Sequence, residues 1–291
     1  MKPAPFKYLA PRTRQEVLDA LKQYGPDAKV LAGGQSLVPL LAMRLARPSI
    51  IIDLNRVANL AFIKSSRDSV AVGAMTRQRT AESDPTLAAR VPLLCEALRW
   101  VGHPQIRARG TVGGSLAHAD PSAELPAVAA ALGAQLVLHS GRGMRILDAA
   151  QFFTGYLTTA LEPHELLTEV RIAAQPRDGG WAFREIARRH GDFALVGVAA
   201  LLRCDGDRRC TDARLVFTGV GPGPVRVPDA EQSLIGQRIT ASAADATAAI
   251  VERALDPDGD IHATAEYRRH VAGVLAARAV MEAAERVQVQ A

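Results

Sequence analysis

Cysteine is scarce in this sequence, which has only Cys95, Cys204 and Cys210 among its 291 residues. None of them forms a Cys-x-x-Cys pair, a spacing typical of zinc sites, iron–sulfur clusters and redox motifs. We therefore expect small buried hydrophobic groups or ordinary surface thiols at these positions. No disulfide framework, metal site or iron–sulfur cluster is expected from the chain's own cysteines.

Aromatic residues and long apolar runs are also scarce. Aromatics make up 4% of the chain, and its 35 lysines and arginines are scattered rather than clustered. The net charge of +5 therefore permits an anionic ligand but does not indicate a nucleic-acid-binding protein. The most apolar stretch, 125–138, is shorter than the ~18 residues of a membrane span. With no signal-peptide pattern at the N-terminus, we expect a cytoplasmic protein without an integral membrane segment.

The usual signatures of nucleotide-binding and hydrolytic enzymes are missing as well. The sequence lacks the P-loop pattern G-x-x-x-x-G-K-[ST] and the Rossmann pattern G-x-G-x-x-G. The glycine-rich stretch 219–223 contains prolines and has no helix after it, so we interpret it as a loop. No Gly-x-Ser-x-Gly motif or Cys/His pairing indicates a catalytic nucleophile, so no catalytic side chain is assigned.

Length and composition otherwise describe an ordinary globular chain. With 291 residues, 48% hydrophobic and 22% charged, it has the size of about two domains. A shift in composition at 174–180 predicts a linker. A run of strands followed by helices after it favours an α+β second domain. The elements predicted there are strands at 181–188, 195–204 and 213–220 and helices at 240–254 and 264–287.

The first half alternates short strands and helices. Thr13 and Glu16 fit a capping box, which predicts a helix over 13–24. An apolar strand at 28–31 then leads into a glycine pair. The segments that follow predict an apolar helix at 37–45, a buried strand at 50–54, and a hairpin with strands at 135–139 and 144–147.

Two glycine pairs are the most informative features. Gly33-Gly34 lies where a strand ends and a helix begins, so unpaired N–H groups and the helix dipole favour a phosphate there. Gly113-Gly114 offers the same kind of surface, and Ser115 follows it with a hydroxyl. Ser36 either caps the first helix or donates its hydroxyl to a phosphate. Two such loops can hold the two phosphates of a dinucleotide, although a Gly-Gly pair is also typical of a tight turn.

The acidic segment after the second loop has two interpretations. His118, Asp120 and Glu124 offer one imidazole and a carboxylate spacing that fits no standard metal site. Asp120 with Pro121 is typical of the start of a helix, which we predict to run to about residue 132. The alternative is that Asp120 or Glu124 accepts hydrogen bonds from ribose hydroxyls.

Taken together, these motifs resemble the FAD-binding medium subunit of molybdenum hydroxylases. The pattern is most similar to the carbon monoxide dehydrogenase medium-chain family and its xanthine dehydrogenase-like relatives. Each motif alone is weak, but their order and spacing are specific. The matching segments are 32–39 (AGGQSLVP), 105–110 (QIRARG), 111–121 (TVGGSLAHADP), 152–155 (FFTG), 188–194 (RRHGDFA) and 267–269 (YRR).

The resemblance implies an α+β fold of two parts. The first is an FAD-binding domain of the p-cresol methylhydroxylase/vanillyl-alcohol oxidase type over 1–175, with subdomains of about 1–56 and 57–175. The second is a C-terminal α+β domain of the CO dehydrogenase flavoprotein type over 180–287.

It also implies the residues that hold FAD. In relatives of this kind the first loop binds the pyrophosphate through backbone N–H groups, and the second loop does likewise. Asp120 or Glu124 would hold the ribityl or ribose hydroxyls, although Glu124 is one methylene longer than the aspartate common there. Leu167, Arg184 and Phe193 would lie near the isoalloxazine. The remaining expected contacts are Ala32, Gly33, Gly34, Gln35, Ser36, Leu37, Val101, Thr111, Gly113, Gly114 and Ser115.

The function implied by the resemblance is electron transfer. Substrate would be oxidised at a molybdopterin centre on a large subunit, and electrons would pass through 2Fe–2S clusters on a small subunit to FAD and then to an external acceptor. We expect a dimer of heterotrimers in the cytoplasm, with any membrane contact made peripherally through the complex. Two alternatives stay open: a self-sufficient flavin oxidase of the same fold, and a non-catalytic nucleotide- or phosphate-binding module.

Overall fold

The N-terminal part of the chain is a small parallel α/β unit. The structure, a computed structural model, describes residues 2–287. Three strands pair in parallel in the order β1-β3-β2, and two helices connect them. Their bounds are β1 Lys7–Leu9, α1 Arg14–Tyr24, β2 Ala28–Leu31, α2 Leu37–Ala42 and β3 Ile50–Asp53.

Local sequence signals set the elements of this unit. The Thr13 side chain accepts a hydrogen bond from the Glu16 N–H at 3.2 Å, so the predicted cap of α1 is confirmed. All four residues of β3 are buried, as its apolar run predicts. The helix predicted over 37–45 is shorter, because α2 ends at Ala42 and Arg44 adopts a left-handed φ of 59°.

A five-stranded antiparallel sheet with seven helices forms the second unit. The order of its strands is β4-β5-β10-β6-β7, and β8 and β9 form a separate two-stranded ribbon. The strands are β4 Ile63–Ser65, β5 Ser69–Gly73, β6 Gln135–Ser140, β7 Gly143–Asp148, β8 Phe153–Gly155, β9 Thr158–Thr159 and β10 Leu166–Ala173. The helices are α3 Gln78–Ser83, α4 Pro85–Arg90, α5 Pro92–Leu98, α6 Pro104–Arg109, α7 Val112–His118, α8 Glu124–Ala131 and α9 Ala149–Phe152.

The predicted start of a helix at Asp120 and Pro121 is wrong. Helix α8 begins only at Glu124. The Asp120 side chain instead accepts a hydrogen bond from the Ser122 N–H at 2.9 Å, and its carbonyl accepts one from the Ala123 N–H at 3.0 Å. Aspartate is as well suited to such a turn as to a helix cap, and here the turn forms.

The C-terminal part consists of an antiparallel sheet followed by helices, as predicted. Its strands run in the order β11-β12-β13-β14. The bounds are β11 Gly180–Ile186, β12 Val196–Cys204, β13 Cys210–Thr218, β14 Val225–Arg226, α10 Pro228–Leu234, α11 Ala241–Ala254 and α12 Ala265–Arg286.

The C-terminal sheet is buried on both faces. Along β11, Phe183 belongs to the core of the five-stranded unit, whereas its neighbour Ala182 belongs to the core beneath α10, α11 and α12. Ala199 and Val216 lie on the Phe183 side in the adjacent strands. Alternate side chains along each strand therefore pack into two different cores, one on each face of the sheet. The division into domains at about 175–180 stays a prediction, since the two parts share a continuous core.

Within residues 2–287, no helix is long and apolar enough to cross a membrane.

Gly180 provides a test of how tightly α12 packs on the sheet. A Cβ added there would overlap the carbonyl oxygen of Ala283. We expect Gly180→Ala to lower the free energy of unfolding by about 1–3 kcal/mol, because either β11 or α12 must shift. Urea denaturation of the full chain measures this. Gly206→Ala is the control, since nothing lies within 4 Å of its added Cβ. If Gly180→Ala and Gly206→Ala were equally stable, the close contact of α12 with β11 at Gly180 would be contradicted.

Candidate functional site

The first glycine segment connects β2 to α2. Gly34 has a φ of 76°, a left-handed conformation that favours glycine. The Val38 N–H donates to the Gly34 carbonyl at 3.0 Å, and the Gln35 side-chain amide donates to the Gly33 carbonyl at 3.2 Å. Ser36 occupies the N-cap position of α2 without a side-chain capping hydrogen bond. Of its two predicted roles, the structure therefore does not show the capping one.

The second glycine segment is the first turn of a helix rather than a loop. Thr111 caps α7, and its side-chain oxygen accepts a hydrogen bond from the Gly114 N–H at 3.0 Å. Gly113, Gly114 and Ser115 lie inside this helix. A Cβ at Gly113 would overlap Ala74, so glycine lets α7 approach the end of β5. The prediction of a loop is corrected for this reason.

The two glycine segments meet at one place. A Cβ added at Gly33 would lie 2.5 Å from the carbonyl oxygen of Arg109 and 2.8 Å from the Cα of Gly110. A Cβ added at Gly114 would lie 3.3 Å from the Cβ of Ala32. The segments approach each other so closely because neither glycine has a side chain.

Asn55 connects the two segments and was not predicted from the sequence. Its Nδ2 donates to the Ala32 carbonyl at 2.9 Å, and its Oδ1 accepts from Arg77 Nη2 at 2.6 Å. Arg77 Nη1 in turn donates to the Arg109 carbonyl. One amide and one guanidinium therefore join the backbones of the parallel unit and the five-stranded unit.

An ionised carboxylate holds Asn55 in place. Asp53 accepts from the Asn55 N–H at 2.8 Å and from the Tyr8 hydroxyl at 2.5 Å. Burial acts to raise the pKa of Asp53, but these hydrogen bonds together hold it below its usual value. Asp53 is the last residue of the buried parallel strand β3 and Asn55 follows it, at the carboxyl end where ligand sites often form in α/β sheets. That position is the signal that could have revealed them.

Positive charge collects around the meeting point. Burial and the neighbouring charge of Arg109 lower the pKa of Arg77. Burial and the charge of Lys29 lower the pKa of His118, although Asp120 acts in the opposite direction. Arg77 and Arg109 therefore lie close together beside Gly33, and Lys29 lies near the end of α7, so positive charge near both glycine segments favours an anion.

The C-terminal sheet holds the segment between α7 and α8. The Thr218 hydroxyl lies 2.7 Å from the Pro121 carbonyl oxygen and 2.9 Å from that of Ala123, and the Gly219 N–H donates to Pro121 at 2.8 Å. Glu124, at the end of this segment, is buried. The C-terminal sheet therefore fixes the segment that carries Asp120 and Glu124, and their contacts with the cofactor stay predictions.

The other predicted cofactor contacts lie elsewhere in the structure. Val101 and Leu167 are buried in the core of the five-stranded unit. Arg184 forms an ion pair with Glu282 of α12. Phe193 is 65% exposed, on the segment between β11 and β12. Their contacts with the isoalloxazine stay predictions.

The middle residue of the motif at 267–269, Arg268, is buried and forms hydrogen bonds with backbone carbonyls. Arg268 Nη1 donates to the carbonyls of Leu195 at 2.5 Å and Gly219 at 3.0 Å, and its Nη2 pairs with Asp260 at 2.9 Å. It therefore ties α12 to the two backbone segments that lie beside Phe193 and Thr218.

The three cysteines are free. Cys95 and Cys210 are buried, and Cys204 is register partner to Cys210 across β12 and β13. Within the part of the chain that the structure describes, no group of three or more histidine, cysteine, aspartate or glutamate residues is placed to hold a metal ion.

Comparison with known families agrees with this geometry. Residues 4–175 match the family described as "FAD binding domain in molybdopterin dehydrogenase", and residues 181–283 match "CO dehydrogenase flavoprotein C-terminal domain". The chain therefore belongs to the FAD-binding medium subunits of molybdenum hydroxylases. It is an oxidoreductase subunit, and its cofactor is FAD.

Individual relatives match over almost their whole length. The 6-hydroxypseudooxynicotine dehydrogenase complex subunit alpha of Paenarthrobacter nicotinovorans is 39% identical over 99% of this chain and 97% of that protein. Caffeine dehydrogenase subunit beta of Pseudomonas sp. (strain CBB1) is 40% identical over the same shares. Among solved structures, carbon monoxide dehydrogenase from Hydrogenophaga pseudoflava superposes with a TM-score of 0.96 at 38% identity, covering 99% of this chain and 100% of that one.

The Asn55 bridge can be tested directly. We expect Asn55→Ala to weaken FAD binding by about ten- to a hundredfold, because it removes a donor to Ala32 and leaves Arg77 without its acceptor. Titration of the apo chain with FAD, followed by flavin fluorescence, gives the dissociation constant. Gln232→Ala, exposed on α10, is the control and should bind as the wild type does. If Asn55→Ala bound FAD as tightly as the wild type does, the Asn55 bridge would have no role in cofactor binding.

Proposed function

We propose that this chain is the electron-transfer subunit of a molybdenum hydroxylase complex, and that it takes electrons from 2Fe–2S clusters on a partner and passes them to an external acceptor. The observation that carries the proposal is the meeting of the two glycine segments. A Cβ added at Gly33 would overlap the backbone of Arg109 and Gly110, and one added at Gly114 would lie 3.3 Å from the Cβ of Ala32, so the two segments approach each other from separate units. We call this meeting point, formed by residues 32–37 and 111–115, the cradle. Its backbone N–H groups and the nearby cations favour the binding of a diphosphate.

We propose that each of the two glycine segments binds one phosphate of the cofactor. We propose that one phosphate binds at the start of α2, to the N–H groups of Gly33, Gly34, Gln35, Ser36 and Leu37. Those of Gly113, Gly114 and Ser115 lie in the first turn of α7, where Thr111 already occupies the Gly114 N–H. Because α2 and α7 are short, most of the attraction must come from these local N–H groups and the nearby cations rather than from long helix dipoles.

The remaining parts of the site orient the cofactor. Asp120 and Glu124 are proposed to hold hydroxyls of the ribityl chain or ribose, since the C-terminal sheet fixes their segment through Thr218. When bound, FAD supplies a two-electron store that can be filled one electron at a time. The chain's own residues bind the cofactor, exclude water from its phosphates and set its position.

The proposal places the other redox groups on partner subunits. The names of two relatives describe a subunit of a dehydrogenase complex and a medium chain, respectively. We propose a small 2Fe–2S subunit and a large molybdopterin subunit as partners, assembled as a dimer of heterotrimers in the cytoplasm. The three cysteines of this chain have no cluster-ligand spacing, which agrees with clusters on another subunit.

The glycines are the sharpest test of the cradle. We expect Gly114→Val to weaken FAD binding at least about a hundredfold, because the new side chain would enter the space against Ala32 and break the Thr111 cap. Gly34→Val should do the same, since its φ of 76° strains a β-branched residue. Absorption spectra during titration with FAD, with FMN for comparison, measure the loss. Gly141→Val is the control, because its added Cβ meets nothing within 4 Å.

Stoichiometric FAD in both variants would contradict the assignment of the cradle.

The partner proposal has its own experiment. The tagged chain, purified from cells that express its neighbouring reading frames, should recover two further subunits together with iron and molybdenum. Anaerobic addition of the complex's substrate should then bleach the flavin absorption. A stable native complex without iron would contradict the proposed route of electrons.

A further inference from the structure

A second buried carboxyl lies beside the cofactor segment. Glu185 is on β11, two residues after Phe183, so its side chain lies on the face that packs against the five-stranded unit. It pairs in register with Gly197 of β12, and Gly197 pairs in turn with Thr218 of β13. A Cβ added at Gly197 would lie 3.3 Å from the Cβ of Glu185 and 2.8 Å from the Cγ2 of Thr218. The three residues therefore stand side by side.

This row faces the segment that ends at Glu124. The Thr218 hydroxyl lies within hydrogen-bonding distance of the carbonyls of Pro121 and Ala123, the residue directly before Glu124. Because Gly197 has no side chain, the side chains of Glu185 and Thr218 pack closely on either side of it. Two carboxyl groups, from β11 and from the start of α8, thus approach the same region.

Both carboxyls are buried, and neither forms an ion pair with a residue in the described range 2–287. Glu185 is 9% exposed, and within residues 2–287 its Oε2 has no hydrogen-bond partner. Arg107 is the cation that acts on Glu124, but its guanidinium pairs with Glu82 at 2.7 Å and donates to the carbonyl of Val101 at 2.9 Å.

The other charged groups nearby do not neutralise the pair. Arg184 lies on the opposite face of β11 and pairs with Glu282. Asp120 adds negative charge and, at 4.0 Å, is the partner of His118. Burial raises the pKa of Glu124 to about 7. Burial and the charge of Glu124 raise the pKa of Glu185 to about 9, so near neutral pH the pair retains a proton.

A cofactor hydroxyl is both a donor and an acceptor. We propose that Glu124 and Glu185 together form a polyol-binding pair that shares one proton: the protonated carboxyl donates to a hydroxyl of FAD and the ionised one accepts from it. The unpartnered Oε2 of Glu185 then gains the partner that it lacks in the apo chain. This inference rests on the proposed function, because it takes Glu124 as a contact of the cofactor.

The test is FAD affinity against pH in the full chain. For the wild type we expect the dissociation constant to rise about tenfold between pH 7 and pH 10, as the pair loses its shared proton. In Glu185→Gln the amide replaces the acid as donor at every pH, so this alkaline loss should disappear. In Glu185→Leu the donor is absent, and binding should be about tenfold weaker throughout. Glu266→Gln, exposed at the start of α12, should follow the wild type.

Wild-type affinity in Glu185→Leu, or an undiminished alkaline loss in Glu185→Gln, would overturn the proposal.

A readout without FAD separates this proposal from the proposed function. At pH 8 the infrared spectrum of the apo chain should show the C=O stretch of a buried protonated carboxyl, and Glu185→Gln should lose it. An unchanged band in the variant, or none in the wild type, would overturn the shared proton. Absence of FAD binding by the wild type, alone and in the co-expressed complex, would instead overturn the proposed function.

The same pair predicts a pH dependence of folding. Folding raises the pKa of Glu185 from 4.5 to about 9, so its ionisation favours the unfolded chain. The stability that the protonated group contributes is therefore present below about pH 4.5 and is lost as pH rises toward 9. We expect the melting temperature of apo Glu185→Gln to fall less over this range than that of the wild type. If the melting temperatures of the variant and the wild type changed with pH by the same amount, a buried protonated carboxyl at Glu185 would be contradicted.

Discussion

The close approach of two backbones is the constraint on which the rest of the site depends. Gly33 faces Arg109 and Gly110, and Gly114 faces Ala32, at distances that leave no room for a side chain. Such contact between separate units holds only if their relative position is fixed, because a small rotation would open a gap or cause overlap. The Asn55 amide and the Arg77 guanidinium provide this fixing, because they bond to each other and also to the backbone carbonyls of Ala32 and Arg109. Backbone acceptors stay in place when surface side chains move.

The C-terminal sheet completes the site from the other side. Thr218 and Gly219 bond to the turn that leads to α8, and Arg268 bonds to Gly219 from α12. The acidic segment beside the cradle is therefore held by a part of the chain that contributes none of the glycines. The long C-terminal helix α12 therefore supports the proposed site from a distance, because it anchors the backbone next to the strand ends that hold this turn.

Local signals in the sequence predicted much of the fold, and the site that they indicate at the glycine pairs stays a prediction. The Thr13 cap, the apolar run of β3 and the strands predicted at 181–188, 195–204 and 213–220 depend on neighbours in the chain, and the structure confirms these elements. Two local predictions were wrong, since Asp120 forms a turn and the second glycine pair starts a helix despite the low helix propensity of glycine. The Asn55 bridge and the pairing of Glu185 with the α8 segment depend on distant parts of the chain, which a single sequence does not bring together.

The two-faced burial of the C-terminal sheet bears on how the protein is made. Helix α8 packs against β12 and β13, so its apolar surface stays uncovered on the ribosome until both strands have emerged. The glycine segments, in contrast, are synthesised early. The nascent chain therefore holds an incomplete cradle beside bare apolar surface for much of translation, and a product that stops short of residue 218 retains that surface. The last third of the polypeptide therefore covers the apolar surface of α8.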